Sequence, residues 1–214
     1  KLIKNLRYEK IFKILIIITA TVGFLLSTFS YESPLKQYAY FTIQSNILVA
    51  VVYLTLVINK DKSSLLLIIK NQATLAIILT GLVYNLMLRS YLDGIDYNPN
   101  SLSDLLVHTL TPILVLTDFI VFTKNGKMTV FEPLYYLIFP LIYWIFTIVY
   151  VALGGNFNFD TEESNYPYFF LNFEKFGIGY FLLVLGFIIL IGYLLYFLNK
   201  TILKKKGGIE IGNI

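Results

Sequence analysis

A hydroxyl, an imidazole and a carboxylate are the parts of an activated oxygen nucleophile, and this sequence carries such a set in otherwise apolar surroundings. His108 is the only histidine. It stands in the run Asp104-Leu105-Leu106-Val107-His108-Thr109-Leu110-Thr111-Pro112. Asp104 precedes it by one helical turn, where a carboxylate either orients the imidazole or caps the helix start. A second run, Tyr40-Phe41-Thr42-Ile43-Gln44-Ser45-Asn46, puts Thr42, Ser45 and Asn46 at i, i+3 and i+4, on one helix face. Small polar residues so placed ordinarily bond one helix to another; beside a histidine base, Thr42 becomes a nucleophile. Asn46, Gln44, Ser45 and Tyr143 are then candidates to stabilise an oxyanion or orient the pair, with Asp104 fixing the imidazole tautomer. Thr111 is placed to bond a backbone carbonyl loosened by Pro112.

Other polar residues divide between the two ends of the spans. Asn85 and Arg89 close one hydrophobic stretch, and a guanidinium there can grip an anionic headgroup bidentately or simply snorkel. Lys70 and Asp118 lie near the opposite end and read as a structural ion pair, with a proton or ion path as the other reading. The chain has no cysteine, which excludes disulfides and thiolate metal sites, and one histidine is too few for an ordinary zinc site.

The elements that must hold these residues are membrane helices. The 214 residues are 57% hydrophobic and only 14% charged, with a mean hydropathy of +0.72; about 25% charged is usual for a soluble domain. Hydropathy predicts an all-α protein with a single transmembrane domain over 1–214. Its six spans lie at about 10–30, 38–58, 65–88, 102–122, 132–152 and 177–199. The first run, from Ile11 to Phe29, is too long for a signal-peptide core and lacks an A-x-A site, so it reads as a retained span. The chain starts at Lys rather than Met, as a trimmed N-terminus would.

The net charge of +4 is not a nucleic-acid signal, because the basic residues sit at helix ends. Lys1, Lys4, Arg7, Lys10, Lys60, Lys62, Lys124, Lys127, Lys200, Lys204, Lys205 and Lys206 fall on one side; Lys36, Arg89 and Lys175 fall on the other. That bias predicts both termini in the cytoplasm. It also puts Thr42 about 6 Å and His108 about 9 Å inside the outer ends of their spans, at about 1.5 Å per residue. Both are then in the outer leaflet at nearly one level. The outer loop over 154–176 holds Asp160, Glu162, Glu163 and Glu174 with an aromatic cluster around Tyr166-Pro167-Tyr168-Phe169-Phe170. Such a loop suits the interface, or a lid that dips onto the bundle.

Three motifs in this order carry a resemblance: Phe41-Thr42 opening the second span, His108-Thr109 followed by Pro112 and Asp118 in the fourth, and Tyr166-Pro167-Tyr168-Phe169 before the last. Together they make the chain similar to the androgen-induced and androgen-dependent TFPI-regulating membrane protein family and its bacterial six-helix relatives. The resemblance covers nearly the whole chain. It implies a bacterial plasma-membrane hydrolase of fatty acid esters of hydroxy fatty acids, with Thr42 and His108 at the family's threonine and histidine. The sequence departs from the animal members at their second histidine, where it has Asp104 or its neighbours. It departs again at the asparagine three residues after their threonine, where it has Ser45 and then Asn46.

The chemistry expected is ester hydrolysis inside the membrane, with a lipid or fatty-acyl ester and the bilayer as partners, no cofactor and no nucleic acid. Nothing in the sequence fixes an oligomeric state. A small transporter or channel, or a lipid-binding protein without turnover, would use the same polar residues differently. The spans show no internal repeat and no pair of discontinuous helices of the transporter kind.

Overall fold

The computed structural model describes residues 2–30, 34–59, 63–89, 98–122, 128–157 and 165–211. Among them the chain is helical and has no strand. Six helices are long and apolar enough to cross a membrane: Leu6–Phe29, Phe41–Ile58, Ser64–Leu88, Leu102–Phe122, Glu132–Ala152 and Ile178–Thr201. All six spans read from hydropathy are present, because twenty apolar residues in series have no other way to satisfy their backbone groups in lipid. Lys1, Lys60, Lys62, Lys124, Lys127, Asp160, Glu162 and Glu163 lie outside the described residues.

In chain order the elements are α1 (Leu2–Phe29), α2 (Pro34–Gln37), α3 (Phe41–Ile58), α4 (Ser64–Val83), α5 (Leu102–Leu105), α6 (Thr111–Phe122), α7 (Glu132–Tyr135), α8 (Ile138–Ala152), α9 (Phe173–Phe176) and α10 (Ile178–Ile211). A 3-10 turn, Phe169–Leu171, precedes α9. Local chemistry sets several boundaries. Ser63 caps α4 by accepting from Leu66 N at 3.2 Å, and Ser101 caps α5 by accepting from Asp104 N at 3.2 Å. The fifth span divides into α7 and α8, each with a proline, Pro133 or Pro140, in its first turn. A missing N–H costs nothing there. Gly177, at φ 71°, turns the chain from α9 into α10.

Two spans contain a widened turn. Arg89 N bonds Tyr84 O in Tyr84–Leu88, and Thr111 N bonds Leu106 O in Leu106–Leu110; both reach five residues back. Such π turns interrupt α-helices at functional sites more often than elsewhere.

Helices α1, α3, α4 and the α5–α6 span pack together, and α7, α8 and α10 lie against α4, α6 and the 3-10 turn. The Ser64–Leu88 span is 61% buried and Glu132–Ala152 only 17%, so the third span is the axis of the bundle and the fifth lies at its edge. Large apolar side chains such as Ile18, Leu54, Ile113, Ile145 and Leu190 face outward, whereas Ser45, Asn46, Thr74, Asp104, His108, Thr111 and Asp118 are buried. That inversion is what a lipid solvent favours. Several hydroxyls are satisfied one turn back on their own helix, as in Thr74 to Lys70 O at 2.9 Å and Thr147 to Tyr143 O at 2.9 Å.

Candidate active site at the start of the second span

Thr42 is the second residue of α3. The helix starts at Phe41 because Tyr40 is extended and its carbonyl takes the N–H groups of both Ile43 and Gln44, each at 3.1 Å. Tyr40 is anchored in turn: its hydroxyl donates to Phe157 O at 3.2 Å, and its ring meets Phe157 edge-on at 5.2 Å. The nucleophile candidate therefore stands at the N-terminus of a full helix, where unpaired N–H groups and the helix dipole favour negative charge.

The structure brings Thr42, His108 and Asp104 together. Thr42 Oγ1 lies 3.2 Å from His108 Nε2, and His108 Nδ1 lies 2.8 Å from Asp104 Oδ1. A carboxylate only accepts, so Nδ1 carries the proton and Nε2 presents its lone pair to the threonine hydroxyl. Ser101 has the capping role, which resolves the two readings of Asp104 in favour of orienting the imidazole. Tyr84, the first residue of the other π turn, stacks on the imidazole at 3.7 Å between centroids and 9° between planes. Aromatic pairs of this kind contribute about 0.5–1.5 kcal/mol. The ring of His108 is thus held at one edge by a carboxylate and on one face by a phenol.

The turn carrying His108 is clamped from three sides. Pro112 has no N–H to return to the preceding turn, so the carbonyls of Val107 and His108 have fewer donors. Asn46 Nδ2 donates to Val107 O at 3.3 Å and to Thr42 O at 2.8 Å. Asn85 Nδ2 donates to His108 O at 3.0 Å and to Gly81 O at 2.9 Å. Thr111 does not perform this task, contrary to the sequence reading. Its hydroxyl, fully buried, has no partner among the described residues, because the free carbonyls are met by amides from α3 and the π turn that follows α4. On the remaining sides the helices approach closely. A Cβ at Gly23 would sit 2.9 Å from Leu106 Cβ and Val107 Cγ1, and one at Gly81 would sit 3.0 Å from Pro112 and 3.1 Å from His108 O.

The other residues singled out in the sequence have separate duties. Ser45 donates to Thr42 O at 3.0 Å and pairs with Thr80 Oγ1 at 2.8 Å. Gln44 Nε2 donates to Tyr38 O at 3.1 Å, away from the histidine. Arg89 is exposed at the same end, its Nη2 donating to Asn100 Oδ1 at 2.8 Å. Lys70 and Asp118 form the ion pair, at 2.6 Å, and Tyr53 donates to the same carboxylate oxygen at 2.9 Å.

Thr42 opens onto a cavity between α3 and α4 on one side and α8, α10 and the 3-10 turn on the other. It encloses ≈ 660 Å³ of empty space, part of it open to the surroundings. Among the described residues no charged side chain lines it; Leu79, Val83, Leu141, Phe181, Val184 and Ile188 form much of its wall. Tyr143, Tyr168 and Thr80 are its polar lining beside Thr42 and Tyr84, whereas His108 and Asp104 stand behind the threonine. Tyr168 comes from the described end of the 154–176 loop, whose Phe170 and Leu171 are buried against the same cavity. Burial pushes the Tyr168 phenol up to about 12. Tyr84, Thr80 and Tyr168 escaped sequence reasoning as site residues. Each reaches the site across helices, and no spacing within one helix reports that. Compared with known proteins, the chain matches no family model, no curated protein and no solved structure.

Proposed function

We propose that this protein is an intramembrane hydrolase of fatty-acyl esters, with Thr42 as nucleophile and His108 as base. The observation that carries the reading is the relay from Asp104 through His108 to Thr42, ending at the wall of an uncharged cavity. A polar relay inside a lipid-facing bundle costs free energy to maintain. It also supplies a nucleophile, a base and an orienting group within hydrogen-bond reach. The cavity's apolar, uncharged lining suits an acyl chain.

His108 Nε2 takes the Thr42 proton as Oγ1 attacks the ester carbonyl, whose π electrons move to oxygen. Collapse of that tetrahedral species expels the alcohol, which leaves with the proton from His108, and an acyl-threonine remains. Water attacks the acyl-threonine with His108 again as base, releasing the acid and restoring Thr42. Esters of hydroxy fatty acids, the substrates implied by the resemblance to the androgen-induced membrane protein family, fit this scheme. With both termini cytoplasmic, as the lysine distribution argues, Thr42 lies in the outer leaflet.

Purified protein in detergent is expected to hydrolyse p-nitrophenyl laurate and to be labelled at Thr42 by a long-chain fluorophosphonate. Unchanged turnover by Thr42→Ala protein would sink the proposal. A lipid that co-purifies and is never turned over would instead mark a lipid-binding protein. Substrate-dependent flux in liposomes would mark a transporter.

A further inference from the structure

The oxyanion that develops on the ester needs a holder, and the amides considered from sequence are engaged elsewhere. Asn46 Nδ2 serves Thr42 O and Val107 O, and Gln44 Nε2 serves Tyr38 O. What remains is the first turn of α3. Of the four N–H groups that a helix start leaves without partners, those of Ile43 and Gln44 fold back onto Tyr40 O. Those of Phe41 and Thr42 have no carbonyl in the helix to meet, and both residues line the cavity.

A second, independent observation stands at the same place. The Tyr143 side chain is 5% exposed, its hydroxyl has no hydrogen-bond partner among the described residues, and it lines the cavity beside Phe41 and Thr42. Its ring packs edge-on against Phe41 at 5.0 Å and lies 6.3 Å from the ring of Tyr168. A buried phenol with nothing to bond costs about 1–3 kcal/mol. The hydroxyl of Thr147, one turn on, spends its proton on the Tyr143 carbonyl at 2.9 Å.

Resting on the hydrolase reading, we propose that the oxyanion site is the N-terminal turn of α3, with the N–H groups of Phe41 and Thr42 and the hydroxyl of Tyr143 as its donors. The nucleophile's own N–H contributes, as it does in serine hydrolases. A donor group that costs stability in the resting protein gains its partner only as charge develops. That is the condition under which a hydrogen bond accelerates a reaction.

The test compares wild type and Tyr143→Phe in detergent, a change that keeps the ring against Phe41. With p-nitrophenyl laurate, kcat is expected to fall about 10²-fold while KM changes little. Affinity for a long-chain trifluoromethyl ketone, which adds to Thr42 as a tetrahedral oxyanion, is expected to fall by a similar factor. Affinity for the methyl ketone of equal length, which does not add, stays unchanged. A kcat within twofold of wild type overturns the oxyanion assignment and leaves the hydrolase reading standing. Wild-type protein that binds the trifluoromethyl ketone no tighter than the methyl ketone overturns it without any variant. Wild-type protein that hydrolyses nothing and takes no label at Thr42 overturns both.

Discussion

Two polar clusters bridge α3 and the α5–α6 span, and they differ in how their groups are partnered. Near one end of the bundle, Asp104, His108 and Thr42 form a chain that stops at a cavity wall. Toward the other, Lys70 and Tyr53 converge on Asp118, with Asp118 and Tyr53 fully buried and Lys70 also over the Tyr53 ring at 5.8 Å. The second cluster pairs its opposite charges with each other, leaves Asp118 Oδ1 without a hydrogen bond among the described residues, and stands apart from that cavity. The first leaves its last hydroxyl accessible and positions that hydroxyl at a helix start. On the proposed reading, the second cluster holds helices together and the first is held by helices for use.

That division can be broken most sharply at Thr42. Thr42→Ala is expected to lower ester turnover by about 10⁴-fold, the scale on which activated nucleophiles matter, while the melting temperature stays close to that of wild type. A large loss of stability without selective loss of turnover would merge the two clusters into one structural class. Asp118→Ala should do the reverse. It strands the Lys70 ammonium in the bundle and is expected to cost about 3–5 kcal/mol in denaturant titrations, whereas replacing Lys70 and Asp118 together by Met and Leu is expected to cost only the unpaired Tyr53 hydroxyl, about 1–3 kcal/mol. Turnover per folded molecule should survive that double replacement; its collapse would show that the two ends are coupled.

A smaller effect tests the boundary between holding and using. In Gly81→Ala, better helix propensity favours the variant by about 1 kcal/mol, and crowding against Pro112 and His108 O opposes it by about 1–3 kcal/mol. Crowding should win narrowly in stability, and turnover should fall about tenfold because the atom displaced belongs to the histidine turn. Wild-type turnover in Gly81→Ala would mean that the turn tolerates movement and is not a positioning device.

The fold was legible in the sequence because hydropathy is a local property: six apolar runs can be counted without knowing their neighbours. The meeting of Thr42 and His108 was legible at one remove, through the matching depth of two residues in two spans. The π turns, the Tyr84 stack and the amide clamps on Val107 O and His108 O were not. Pro112 announced that carbonyls would go short, but Thr111, adjacent in sequence, was the natural candidate to meet them. The donors instead come from Asn46 and Asn85, 61 and 23 residues away from the carbonyls they meet. Across-helix partners of this kind are fixed by rotation and close approach, here set by Gly23 and Gly81, and neither quantity is written in one helix's periodicity.

The cavity's position between the central helices and the edge pair α8 and α10 has a kinetic consequence. Under the proposed hydrolase function, with ester entering the cavity from the bilayer, the concentration that matters is the mole fraction of ester among the surrounding lipids, and encounter proceeds by diffusion in two dimensions. Diluting the whole preparation should then leave the rate per molecule unchanged, whereas diluting the ester with inert lipid should lower it.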